Sequence, residues 1–277
     1  MTQGNLENRT QLSLGVAKVQ LTYSTNISVM KRKAVVSLVF VSFVILLSSC
    51  GKKTETFYSP SIDDYSSLQV GKVYIYRLDS TILASFGTSL IVKSYHAKDS
   101  IESTFNDNQG RPSYRIFRYI RDTTGVQAWR FAATYVATAA NQSLEYVDNN
   151  MRFIKLRLPI TEGYTWKAHT FIDTKSINTT VPYLDEWEYE YRNVGQPFSV
   201  LNKTYDSTVT VAQHDETTPE GPFNPNSYQQ RNYGQEVYAK GVGLIYKEFL
   251  HWTWQTSPKQ AYEDGSYGIK LRLISHK

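Results

Sequence analysis

GKVYIYRLDST, residues 71–81, decides the fold. Its side chains alternate: Tyr74, Tyr76 and Leu78 fall on one face of an extended chain, Val73, Ile75 and Arg77 on the other. Successive side chains of a strand point to opposite faces, so such a stretch can bury one face against a core. The same period recurs in SYRIFRYIRDTTG (113–125), where Thr123-Thr124-Gly125 turns the chain, and in VQAWRFAATYVAT (126–138). It recurs again in NQSLEYVDNNMRFIKLRLP (141–159), where Asp148-Asn149-Asn150 is a hairpin signal. DEWEYEYRNVG (185–195), PFSVLNKTYDSTVTVAQ (197–213) and EVYAKGVGLIYKEFLHWTWQ (236–255) continue it. YGIKLRLISHK (267–277) closes the chain with Ile269, Leu271 and Leu273 on one side.

Helical patterning is confined to residues 61–68, one turn with Ser61 as its cap, and Ala132 to Ala140 reads either way. Nine to eleven strands at hairpin spacing predict an all-β fold, an antiparallel sandwich or a curled, partly open barrel. Residues 214–234 hold three prolines and read as one long loop. The 21 tyrosines suit strands. The expected domain plan is a single β domain over 62–277, preceded by a short polar tether over 50–61.

Ahead of it stands MKRKAVVSLVFVSFVILLSSCGKK, residues 30–53. Lys31, Arg32 and Lys33 form a positive n-region, and 34–47 is an apolar run too short for a comfortable membrane span. Leu47-Ser48-Ser49-Cys50 resembles the bacterial lipobox, and Cys50 is the one cysteine of the chain. The expectation is a lipoprotein signal peptide over 30–49, with Cys50 lipidated by acyl chains such as palmitate. Each buried methylene would add about 0.8 kcal/mol of membrane affinity. Residues 1–29 are polar and carry no targeting pattern, so translation is expected to start at Met30 and 1–29 reads as a mis-annotated leader. Arg9, Lys18, Lys31, Arg32 and Lys33 precede Cys50, as does Glu7. A chain beginning at Cys50 is therefore close to neutral, and no nucleic-acid partner is expected.

Two stretches carry a family resemblance: LPITEGYTW (158–166) and YAKGVGLIYKE (238–248), with FSVLNKTYD (198–206) between them and GKVYIY (71–76) ahead. In this order they resemble an uncharacterised family of bacterial envelope lipoproteins, mostly from Bacteroidota. The resemblance implies a β-rich envelope protein and no assigned reaction. It also implies O-glycosylation at Asp followed by Ser or Thr; Asp79-Ser80-Thr81, Asp99-Ser100-Ile101, Asp122-Thr123-Thr124 and Asp206-Ser207-Thr208 have that shape. Read physically, Gly163 allows a tight turn after which Trp166 seals a sheet end. Gly241 and Gly243 remove side chains on one face of a strand, marking a bulge, a bend or a close approach.

Catalytic signals are scarce. Gly241-Val242-Gly243 lacks the third glycine and helix of a nucleotide loop, and His96, His169, His214, His251 and His276 show no ligand spacing. His251, beside Trp252 and Trp254, reads as a surface or strand-end histidine; no metal and no cofactor are expected. Glu186, Glu188 and Glu190 share one face and read as a solvated row paired with Arg115 or Arg121 on a neighbouring strand, or as the carboxylates of a glycan hydrolase. Trp252, Trp254 and Tyr246 crowd one hairpin and are the candidate ligand-binding residues, for a small apolar ligand or a glycan. The expected function is a non-catalytic binding or carrier module anchored in the outer membrane; the alternative is an accessory subunit docking an envelope complex. Gly51 after Cys50 lacks an inner-membrane retention signal, and Lys52 and Lys53 favour the periplasmic leaflet over the cell surface.

Overall fold

The computed structural model describes residues 60–140 and 142–277. The leader, the signal peptide, Cys50 and the tether up to residue 59 lie outside them.

One short helix, α1 (Ile62–Ser66), precedes the strands. Ser61 caps it reciprocally: its hydroxyl accepts from Asp64 N–H at 3.2 Å while the Asp64 carboxylate accepts from Ser61 N–H at 2.8 Å. The chain then runs through β1 (Val73–Ala84), β2 (Ser89–Asn106), β3 (Pro112–Arg121), β4 (Arg130–Ala140), β5 (Ser143–Asp148) and β6 (Met151–Arg157). A two-residue β7 (Thr165–Trp166) follows, then β8 (Tyr189–Val200), β9 (Lys203–Thr218), β10 (Gln229–Ala239) and β11 (Gly243–Gln255). A two-residue β12 (Ala261–Tyr262) and β13 (Tyr267–His276) complete it. All pair antiparallel in one sheet, ordered β6-β5-β4-β3-β2-β1-β13-β11-β10-β9-β8-β7, with β12 on β11.

The sheet curls until its two ends meet, giving a nearly closed barrel with one seam. At the seam β6 and β7 share no ladder. Ile154 N–H donates to Ala168 C=O at 2.8 Å, and the Trp166 indole N–H donates to Ile154 C=O at 2.8 Å. The Tyr191 hydroxyl spans the next step, accepting from Arg157 N–H at 2.7 Å and donating to Arg157 C=O at 2.9 Å. Gly163 turns the chain at φ +75°, and Trp166 is buried on Tyr191 with ring centroids 4.5 Å apart. The expected sealing role of Gly163 and Trp166 thus becomes a role in barrel closure.

Local signals explain the register. Asn149 and Asn150 both take positive φ between Asp148 and Met151, the two-residue hairpin whose twist matches its strands. In β1, Tyr74, Tyr76 and Leu78 are buried as the alternation requires. Residues 132–140 are strand, within β4. The 214–234 segment is corrected: β9 extends to Thr218 and β10 begins at Gln229, leaving only 219–228 as loop. Backbone pairing does not need apolar side chains, and β10 is braced by β11 on its other side. Gly241 and Gly243 also differ from expectation. Gly241 lies in the β10–β11 turn at φ +72°, and Gly243 opens β11 at φ +103°. Both meet α1: Gly241 N–H donates to Asp64 C=O at 2.7 Å, and a Cβ on Gly243 would stand 3.3 Å from Ser66 C=O. The glycines admit the helix against the barrel end.

Candidate functional site

The barrel interior is the candidate site. Two partly open cavities of about 100 and 120 Å³ adjoin there, sharing Tyr146, Asp148, Lys155, Lys247 and Ile269 as lining. The first has an apolar wall that includes Tyr74, Tyr76, Ile101, Ile116, Leu244 and Leu271. The second is aromatic, with Phe153, Tyr183, Trp187, Tyr189, Phe249 and Tyr267. Each is near the size of a cavity that accepts one benzene, roughly 150 Å³.

Charge is held inside this shell with most of its hydrogen bonds satisfied. Arg118 grips the buried Asp99 carboxylate with two bonds of 2.6 Å. The Glu236 carboxylate, 1% exposed, accepts from Lys155 Nζ at 2.8 Å and from the Tyr238 hydroxyl at 2.7 Å. Burial alone would raise the Glu236 carboxyl, but the ammonium groups of Lys155 and Lys247 and these hydrogen bonds outweigh it and lower its pKa to about 2. Lys155 moves oppositely: burial would lower it, and Glu236 raises it above the usual lysine range.

Lys247 is the exception. Its Nζ stands 3.6 Å from Glu236 Oε1, beyond hydrogen-bond length, because Lys155 holds that oxygen. Burial lowers its pKa, the like charge of Lys155 lowers it further, and Glu236 and Asp148 only partly oppose them. Asp148, which lines both cavities, forms no ion pair with Lys247 or Lys155 among the described residues.

The far wall holds two further donors without partners. The register of β9 and β10 shifts between Gly234 and Gln235, which makes Gln213 the unpaired residue of a β-bulge. Such bulges re-aim a side chain. The Gln213 amide nitrogen and the Trp187 indole nitrogen are buried with no hydrogen-bond partner among the described residues. Both side chains line the second cavity. Gly234 makes their position possible: a Cβ there would lie 2.6 Å from Gln213 Oε1 and 2.9 Å from Trp187 Cζ3. Buried donors left unpaired are costly, and a native structure keeps few of them.

The residues singled out from sequence fall elsewhere. Tyr246, Trp252 and Trp254 line neither cavity. Trp254 is buried, its indole N–H donating to Pro225 C=O at 3.0 Å, and Phe223 from the 219–228 loop packs edge-on against both tryptophans. Tyr246 packs against Phe198 and its hydroxyl donates to Glu248. Trp252 and Trp254 meet around Tyr262; Tyr246 shares no ring contact with them.

Glu186 and Glu188 precede β8 and are exposed, and Glu190 pairs with Arg192 on its own strand at 2.7 Å, not with Arg115 or Arg121. Glu186 lies on an open groove with Asp185, His214 and Glu216. His251 is corrected to a core residue: it is buried, hydrogen-bonded to Asn232 at 2.7 Å and stacked on Tyr183 with centroids 3.8 Å apart. Burial lowers its pKa to about 4. Asn232 stands directly opposite His251 in the ladder, which supplies the partner. Of the Asp-Ser/Thr stretches, Asp122-Thr123-Thr124 forms an exposed turn, whereas Asp99 is committed to Arg118.

Lys155, Glu236 and Lys247 escaped sequence reading. The available signal was a charged residue inside an otherwise apolar run, as in Ile154-Lys155-Leu156; Glu236, which follows Gln235, and Lys247, which precedes Glu248, lacked it.

No family profile matches this chain, and no curated protein does. Among solved structures it is similar to one from Bacteroides fragilis described as a "putative exported protein with YmcC-like fold". The identity is 8%, the likeness covers 76% of this chain and 99% of that one, and the TM-score is 0.37.

Proposed function

We propose that this protein is a lipid-anchored envelope protein, non-catalytic, whose barrel interior binds a small ligand. The observation that carries the reading is the pair of adjoining cavities with an ammonium group, Lys247, left without a hydrogen bond. Barrels of about eight strands fill their interior with side chains or hold one small ligand, and the interior widens with strand number; this sheet has 13 strands among the described residues. A cavity that mixes apolar walls with a few placed polar groups is the usual form of a small-molecule site. The anchor rests on the sequence of residues 30–50, with Cys50 as the acylated residue and the periplasmic leaflet of the outer membrane as the expected location.

A second reading, docking to an envelope partner, draws on the hairpin and loop tips. Phe86 is 95% exposed and Ile177 99% exposed, and Val126 stands out from the β3–β4 turn. They stand on three separate turns or loops, and a partner would have to span them, since singly exposed apolar residues are ordinary on a protein surface.

Extraction of the protein with its surrounding membrane by an amphipathic polymer, without detergent, tests the first reading. Denaturation should then release a small molecule in stoichiometric amount, identified by mass spectrometry and missing from membrane extracted without the protein. Release of nothing beyond the background lipids contradicts the carrier reading.

A further inference from the structure

We infer that the interior site takes a small zwitterion with an apolar side group, that is, a free amino acid of about the size of leucine. The inference rests on the proposed binding function and names the ligand class for it.

Charge argues first. Within the shell Arg118 neutralises Asp99 in a two-point grip, and Lys155 neutralises Glu236 at hydrogen-bond distance. Two charges form no hydrogen bond and line both cavities: the Lys247 ammonium, ion-paired at 3.6 Å with the Glu236 oxygen that Lys155 holds more closely, and the Asp148 carboxylate. A simple anion would meet Lys247 but also the repulsion of Asp148. A simple cation would meet Asp148 but also Lys247 and Lys155. A zwitterion meets both and adds no net charge to the interior.

The carboxylate of the ligand is placed at Lys247 and its ammonium toward Asp148, since both residues line both cavities.

Size argues second. Cavities of about 100 and 120 Å³ are each near the size that accepts one benzene, and side by side they accommodate a molecule of about the size of leucine. The first cavity, walled by Ile101, Ile116 and Leu271 among others, receives the side group.

Calorimetric titration of the intact protein in lipid nanodiscs, against empty nanodiscs, tests this with three probes of one carbon skeleton: leucine, 4-methylpentanoate and 3-methylbutylamine. Leucine is expected to bind at least tenfold tighter than either analogue. Lys247→Met should abolish its advantage over the amine, and Asp148→Asn its advantage over the acid. Thermal melts confirm that each variant is folded. Equal binding of leucine and 4-methylpentanoate overturns the zwitterion and leaves the cavity reading standing. Failure of all three probes, while extraction still yields a bound small molecule, overturns the ligand class alone. Failure of the probes together with an empty extract overturns both.

Discussion

Glu236→Gln is expected to destabilise the protein by about 3–5 kcal/mol at pH 7, the usual cost of removing one partner from a buried ion pair. For a domain of this size that lowers the melting temperature by roughly 10 °C. The substitution keeps the shape and the hydrogen bond from Tyr238, but leaves Lys155 and Lys247 in the barrel interior without the carboxylate that holds them. The effect has a defined pH dependence. The Glu236 pKa in the folded protein is about 2, below its ordinary value of 4.5. Its contribution is thus fully present above about pH 4.5 and is lost as pH falls toward 2. Wild type and variant should differ most near neutrality and converge in acid, as read from urea unfolding at pH 7, 4 and 2.5. A loss below 1 kcal/mol at pH 7, or a gap that widens in acid, contradicts this role.

Trp166→Ala should cost about 3–5 kcal/mol as well, the range for truncating a buried tryptophan. Its cause is different, and so is its signature. Trp166 is buried at the seam, carries the hydrogen bond to Ile154 C=O and fills the space beside Tyr189 and Tyr191. Its removal should loosen β6 from β7 before the rest of the barrel. Native-state hydrogen exchange should show the amide of Ile154, which donates across the seam, losing protection ahead of β1 amides such as Leu78. Uniform loss across all strands would mean that Trp166 is ordinary core and that closure does not depend on it.

Much of the wall was legible from side-chain period and turn chemistry. GKVYIY alternates because β1 has one buried face, and Asp148-Asn149-Asn150 turns because asparagine tolerates positive φ. Ser61 announced the helix cap, while its reciprocal partner Asp64 emerged only in the structure. The interior was less legible, for a physical reason. Ile154, Lys155 and Leu156 are consecutive and all buried, which breaks alternation, because the β5–β6 register shifts and β6 is covered from the β7 side as well. An inward lysine therefore looks like an outward one until its partner is known, and Glu236 lies 81 residues away. The polar ends of β9 and β10 looked like loop since their pairing is carried by backbone groups. The tryptophans drew attention by size, but Phe223 already packs against them. Gln213 gave no signal, because a bulge is a property of the pairing between two strands rather than of either one.

The barrel interior is proposed here as a binding site and not a filled core. A crystal structure of the protein purified from its native membrane without detergent tests it most directly. Continuous density for one small molecule is expected between Lys247 and Asp148, with its apolar part against Ile101 and Leu271. A collapsed interior, with Lys247 hydrogen-bonded to Glu236 and side chains closing both cavities, would contradict it.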